Sequence, residues 1–225
     1  MRGEWPQPGV IREQLRAAVW GFALHAAVQL VLVWPVVLAA ASPESESPTE
    51  AVRSTITRVI SILEDPALKD PAKLMPRRRM LEEVIAGRFD YAEMSKRALA
   101  TYWAPLSEAQ RGEFVEVFKN FLSDRYAEKI EGYSGEQVRY LSERIEGTYA
   151  EVRTGLQSEK TTIPMDYRLF LKEGRWHAYD IIVDGVSLVK NYRSQFQKII
   201  RESSYHELVK KLRERTLAEE KKANP

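Results

Sequence analysis

The chain has 225 residues, of which 44% are hydrophobic and 29% are charged, and its formal net charge is +2. This composition is ordinary for a globular protein, and the nearly balanced charge does not favour nucleic-acid binding. The absence of cysteine excludes disulfides, thiolate metal sites and a cysteine nucleophile.

The first 41 residues have the pattern of a secretory signal peptide. Arg2, Arg12 and Arg16 form a basic region before an apolar stretch from Ala17 to Ala41, and three alanines at its end supply the small residues of a cleavage site. The competing interpretation is an uncleaved anchor, because the stretch approaches a membrane-spanning length. A proline and two polar residues interrupt it, so we predict cleavage and a periplasmic protein that begins near Ser42.

The remaining chain is about one domain long. We predict a polar linker at 42–49, one domain at 50–217 and a charged tail at 218–225. Apolar spacing and breaker residues predict helices in the first half of this domain. They cover Glu50–Leu63, Arg77–Ala86, Tyr91–Leu99 and a longer segment that starts after Ser107.

The longer helix has the clearest start signal. Ser107 and Gln110 fit a capping box. An aromatic and aliphatic stripe follows, made of Phe114, Val117, Phe118, Phe121, Leu122 and Ile130. Such a stripe is usually core, but it could also form the wall of a cavity.

From Gln137 the apolar period changes to two, which predicts strands. Four runs are separated by short turns, and the last of them covers Trp176 to Val183. The chain then returns to helix after Asp184 and Gly185, and a capping pattern at Ser204 and Glu207 opens a basic C-terminal helix. The order predicts an α+β fold with helices packed on a four-stranded antiparallel sheet.

No metalloprotease, P-loop, dinucleotide-binding or nucleophile-elbow motif is present in the sequence. His177 is a lone histidine in a strand, where a solvent-facing or satisfied role is the commoner one. Asp180 lies in an apolar run and therefore needs a partner. We favour a structural partner, either a helix N-terminus or an arginine, over a catalytic role.

Two basic clusters stand out, Arg77-Arg78-Arg79 and the run Lys210, Lys211, Arg213 and Arg215. Solvated helix faces are the common explanation for such clusters. Docking to anionic lipid headgroups or to an acidic partner is the functional alternative.

Two stretches resemble the MlaC family, also called the toluene-tolerance family. Phe89–Met94 leading to Leu106–Phe114 resembles its helical half, and Tyr179–Leu188 followed by Asn191–Phe196 resembles its strand-to-helix signature. The resemblance covers roughly Thr49 to Arg215.

The resemblance implies a fold and a function. The fold is an NTF2-like cone, in which a curved antiparallel sheet is wrapped by N- and C-terminal helices with an apolar pocket between them. The function is periplasmic phospholipid carriage between an outer-membrane lipoprotein–porin complex and an inner-membrane ABC transporter complex with an MCE-domain ring, which maintains outer-membrane lipid asymmetry. It implies no cofactor and no catalysis.

The predicted pocket combines one sheet face with the helix that follows the sheet. Alternation places five residues on that face, and three helical residues point towards it; together they are Val152, Leu156, Met165, Tyr167, Leu169, Val189, Tyr192 and Phe196. The alternative for each of these residues is that it is buried in an ordinary hydrophobic core and does not line a pocket.

Two other functions remain open at this point. One is carriage of a different lipid, such as a hopanoid. The other is a small NTF2-like isomerase or dehydratase, for which Tyr167, Tyr179 and Asp180 are the catalytic candidates.

Overall fold

The computed structural model describes residues 46–158 and 161–223, and side chains only as far as residue 217. The predicted signal peptide and the start of the linker lie outside the described residues, as do the side chains of the charged tail. The six helices in the described part are α1 (Pro48–Glu64), α2 (Leu74–Ala86), α3 (Tyr91–Leu99), α4 (Glu108–Glu131), α5 (Leu188–Glu202) and α6 (Tyr205–Ala223). The strands are β1 (Gln137–Glu146), β2 (Tyr149–Gln157), β3 (Thr162–Lys172), β4 (Arg175–Val183) and β5 (Val186–Ser187).

Side-chain caps and prolines set the helix starts. Ser47 caps α1, which therefore begins at Pro48, inside the predicted linker. Helix α2 begins at Leu74, three residues before the predicted Arg77, because a proline such as Pro76 is tolerated in the first turn of a helix. Ser107 and Gln110 form the predicted capping box of α4.

The sheet is antiparallel throughout, in the order β1-β2-β3-β4-β5. It has five strands where the sequence predicts four. Asp184 and Gly185 both have positive φ, which is the conformation of a tight hairpin turn, and this turn returns Val186 and Ser187 to pair with the end of β4. A strand of two residues is too short to produce a periodic signal.

Two register shifts change which side chains face the same way. One lies between Tyr140 and Ser142 in the β1–β2 pair, and the other lies at Arg168 and Leu169 in the β3–β4 pair. Such bulges bend a strand and reset its alternation. At the first shift Leu141 has no partner on β2 and is 64% exposed, and beyond it Ile145 is 50% exposed.

Helices α3, α4, α5 and α6 form a hydrophobic cluster of their own, the helical cluster. The aromatic stripe of α4 lies inside it, and Phe114 and Phe118 are fully buried. The ring of Phe118 meets those of Tyr192 and Phe196 edge-on, at centroid distances of 5.5 and 5.2 Å. The part of the α4 stripe that packs here is therefore core.

A second cluster, the sheet cluster, joins α1 to the sheet. Ala51 and Val52 of α1 pack with buried residues of β2, β3 and β4. Phe89 contacts both clusters. The segment around Phe89 is held at the edge of β4 by two backbone hydrogen bonds of 2.9 Å, from Asp90 to the Ala178 carbonyl and from Ala178 to the Arg88 carbonyl.

Asp90 caps α3 and connects this helix to the sheet. Its carboxylate accepts the Glu93 backbone N–H at 2.8 Å and the Lys172 ammonium at 3.0 Å. Burial acts to raise the pKa of Asp90, but these two donors together hold that pKa below its usual value. Because the folded pKa is lowered, the carboxylate stabilises the fold above the ordinary aspartate pKa and loses this effect as the pH falls through the folded pKa.

We expect Asp90→Asn to lower the free energy of unfolding by about 1 kcal/mol at neutral pH, since asparagine keeps the cap but removes the charge. Urea unfolding over a pH series measures this. The difference between the two proteins should shrink at acid pH, where the native carboxyl is also protonated. A difference that does not change with pH would show that the charge contributes nothing.

Candidate functional site

The five predicted strand residues lie on one face of the sheet. The register pairs Val152 with Tyr167 and Leu156 with Ile163 across β2 and β3, and it pairs Met165 with Val183 and Tyr167 with Ile181 across β3 and β4. Since paired residues share a face, this surface, the site face, carries the residues Ala150, Val152, Thr154, Leu156, Ile163, Met165, Tyr167, Leu169, Ala178, Ile181 and Val183.

The site face is covered unequally along its length. At one end, where α1 packs, Val152, Leu169 and Ala178 are fully buried. Towards the other end Leu156, Met165, Tyr167 and Ile181 are only half-buried. The result is a continuous apolar surface that is sealed at one end and accessible at the other.

The accessible end continues into an exposed apolar rim formed by Ile163, Val183 and Val186. Their exposed fractions are 38%, 38% and 59%, and Val183 is paired with both Met165 and Val186 in the sheet. Exposed apolar side chains that adjoin a half-buried apolar surface are typical of a ligand or partner contact.

Tyr167 lies in the middle of this face, paired with Val152 on β2 and with Ile181 on β4. Burial raises its pKa well above the ordinary tyrosine value, although the residue is only half-buried. Its hydroxyl lies 3.1 Å from the Met165 sulfur. The Tyr167 hydroxyl therefore has a protein partner on the site face, and burial favours its neutral form.

The polar atoms on the site face are satisfied by the sheet itself. The buried hydroxyl of Thr154 donates to the Met165 carbonyl at 2.6 Å. This surface can therefore offer apolar contact without a converging set of charged groups, which suits hydrocarbon better than a polar substrate.

The three predicted helical residues lie elsewhere. Val189, Tyr192 and Phe196 belong to the helical cluster, where they pack with α4 and α6. Burial raises the pKa of Tyr192, and its ring contacts Phe118, Phe121 and Phe196. The structure thus brings the five strand residues together and groups the three helical residues in a separate cluster.

Sequence reasoning missed Ile181 and the rim residues Ile163, Val183 and Val186. The run containing Ile181 and Val183 is apolar on both sides, so alternation alone could not assign its faces. The β3–β4 register shift decides them.

Asp180 has the structural role that the sequence favours. Its buried carboxylate accepts the Ser187 hydroxyl at 2.6 Å and the Val189 backbone N–H at 3.0 Å, and Arg168 lies 3.8 Å away. Both expected partners, a helix N-terminus and an arginine, are present. Tyr179 lies beneath the Arg97 guanidinium, 3.9 Å from ring centroid to cation.

A separate, shallow depression of about 320 Å³ lies beside the N-terminus of α3 and includes Phe89, Asp90, Lys119 and His177. Burial lowers the pKa of His177. No group of three or more metal-binding side chains occurs within residues 46–158 and 161–223. Among these same residues, no helix combines the length and hydropathy needed to cross a bilayer.

The fold and the site face define a class: an α+β protein with an antiparallel sheet, helices packed against it and an apolar surface open at one end. Within that class the chain belongs to the MlaC family, since the family described as MlaC protein matches residues 53–214.

One solved structure with the same fold is a phospholipid-binding protein from Ralstonia solanacearum in complex with a phospholipid. Its TM-score is 0.67 and its identity to this chain is 24%, over 75% of this chain and 96% of that one. A comparison with curated proteins gives no match.

Proposed function

We propose that this protein is a periplasmic phospholipid carrier and that the site face binds the acyl chains. The observation that carries this proposal is the gradient of cover along one apolar surface, from Leu169, which is fully buried, to Val186 at the exposed rim. Membership of the MlaC family and the phospholipid complex of the Ralstonia relative support it.

The energetics favour an enclosed apolar surface. An acyl chain of about 16 carbons loses roughly 0.8 kcal/mol per methylene when exposed to water, or about 13 kcal/mol in total. A carrier must therefore shield the chain almost completely. It need not bind the chain more tightly than a bilayer does, because the chain is already out of water there.

The polar headgroup does not have to be shielded from water. It can stay hydrated at the rim while the chains lie against the half-buried residues. This arrangement explains why a carrier needs no cluster of polar groups on the site face.

The wider role follows the family. We propose that the protein shuttles phospholipid between an outer-membrane lipoprotein–porin complex and an inner-membrane ABC transporter complex with an MCE-domain ring, and so maintains outer-membrane lipid asymmetry. Transfer direction would come from these partners. We also propose that the protein acts without catalysis, since Asp180 is already bonded to Ser187 and to the α5 N-terminus.

Extraction of the purified protein with organic solvent, followed by mass spectrometry, tests the cargo. We expect intact phospholipid at a fixed ratio to protein, with no chemical change after incubation. If the extract contains a polycyclic lipid such as a hopanoid instead, that lipid is the cargo. A chemically altered lipid whose formation depends on Asp180 would contradict carriage without catalysis.

A further inference from the structure

The segment 66–80 runs from the end of α1 into the first turns of α2 and carries exposed apolar and cationic side chains; we call it the basic tip. It consists of two single 3-10 turns, Pro66–Leu68 and Pro71–Lys73, and the first turns of α2. Met75 and Met80 are 41% and 42% exposed, and the exposed residues between and before them include prolines and alanines.

The charge of the basic tip is strongly positive. Its sequence holds five basic residues against one acidic residue, Asp70. Glu131 of α4 contacts Arg77 and Arg78, while Asp70 accepts the Ala72 backbone N–H at 2.8 Å. The exposed cations Lys69, Lys73 and Arg79 have no ion-pair partner within the described part of the chain.

The basic tip is held on a fixed frame. Arg77 donates to the Leu68 carbonyl at 3.1 Å and to the Glu131 carboxylate, so one side chain connects the first 3-10 turn, α2 and the end of α4. Asp65 caps the same 3-10 turn through the Ala67 N–H at 2.8 Å. These contacts hold the first 3-10 turn against α2 and the end of α4.

The other basic cluster differs from the basic tip because its cations have acidic neighbours. On α6, Lys210 lies 4.0 Å from Glu214, and Arg213 lies 2.7 Å from Glu113. Its cations are interspersed with carboxylates, which is the pattern of an ordinary solvated helix face. It therefore serves as an internal control for the basic tip.

We propose that the basic tip docks on an anionic lipid bilayer, with the exposed Met75 at the acyl boundary and Lys69, Lys73 and Arg79 facing the phosphates. Met75 and Arg79 share a face of α2 because they are four positions apart, whereas Met80 is five positions from Met75 and lies on a different face. Cations around exposed flexible apolar side chains are what an interfacial membrane contact requires. The charge complementarity selects an anionic membrane as the occupant. This surface contact goes beyond cargo binding and uses none of the site-face residues.

Sedimentation with vesicles tests the proposal. The purified protein should sediment with vesicles of equal parts phosphatidylglycerol and phosphatidylcholine, and much less with phosphatidylcholine alone. Binding should weaken in about 1 M salt, where the Debye length is about 3 Å. The double variant Lys69→Glu, Lys73→Glu should bind the anionic vesicles about tenfold more weakly, and Met75→Glu should also lower binding severalfold.

Two controls accompany these variants. Lys210→Glu with Lys211→Glu makes the same change of net charge on α6 and should leave vesicle binding unchanged. Leu141→Glu adds a negative charge at an exposed position outside the basic tip and the site face, and it should also leave vesicle binding unchanged. None of these variants alters the site face, so a failure of the cargo proposal would not affect this test. Urea unfolding verifies that each variant is folded.

Three results would overturn the docking proposal. The first is that the unmodified protein binds both kinds of vesicle equally. The second is that the α6 control loses as much vesicle binding as the tip variants do. The third is that the unmodified protein binds no vesicles. If the unmodified protein ignores vesicles while the tip variants lose lipid transfer to an isolated partner complex, the basic tip contacts a protein instead.

Discussion

Replacing Met165 with glutamate is expected to remove copurifying phospholipid while leaving the protein folded. Met165 lies on the site face between Thr154 and Val183 and is only half-buried. In the empty protein the new carboxylate can stay hydrated. Against bound acyl chains it would be buried without a partner, which costs several kcal/mol, so we expect a loss of about tenfold or more in bound lipid.

The measurement is the molar ratio of extracted phospholipid to purified protein, together with the urea midpoint. Met165→Leu is the matched variant, because it keeps an apolar side chain of similar volume and should retain lipid. Leu141→Glu places the same charge at a 64% exposed apolar position and should also retain lipid. If Met165→Glu folds normally and keeps its lipid, the site face is not the cargo surface.

Asp180→Ala is expected to lower the free energy of unfolding by about 3 kcal/mol. The substitution deletes two charge-assisted hydrogen bonds and leaves the Val189 N–H buried without an acceptor. Ser187 loses its partner as well, so the contact between β4 and the start of α5 is weakened. The Arg168 side chain is 43% exposed, so loss of that ion pair adds little.

Urea unfolding with an unchanged m-value measures this effect. Asp180→Asn should cost less, because the amide oxygen still accepts the Val189 N–H. Asp166→Ala is the matched control: its carboxylate pairs with a 60% exposed Arg153 at 3.5 Å, and we expect less than about 1 kcal/mol. Equal losses at positions 166 and 180 would contradict the structural role assigned to Asp180.

A folded Asp180→Asn protein should still transfer labelled phospholipid to acceptor vesicles that carry the inner-membrane complex. This result would follow because the carboxylate connects β4 to α5 and does not lie among the site-face residues. Loss of transfer in a stable, lipid-loaded variant would reopen the enzyme hypothesis.

Local chemistry made much of the fold predictable. The Ser107–Gln110 capping box marks the start of α4 in both sequence and structure, because a cap depends on residues only three positions apart. Alternation likewise grouped Val152, Leu156 and Met165 correctly, because β2 and β3 pair without a register shift.

Non-local features limited the prediction. The hairpin that adds β5 and the shift at Arg168 and Leu169 depend on how neighbouring strands pair. Val189, Tyr192 and Phe196 form an apolar helix face, but the sequence could not say whether that face meets the sheet or α4. The structure places it in the helical cluster with α4 and α6.

The sequence by itself determined the α+β order, the helix caps, the alternating face and the structural need of Asp180 for a partner. Only the tertiary structure decided which part of that face is sealed. Ala51 and Val52 of α1 cover Val152 and Leu169, residues about one hundred positions away, and leave the half-buried residues around Met165 accessible. Periodicity records which side chains share a face, but the cover over that face depends on contacts between distant segments, which no local pattern encodes.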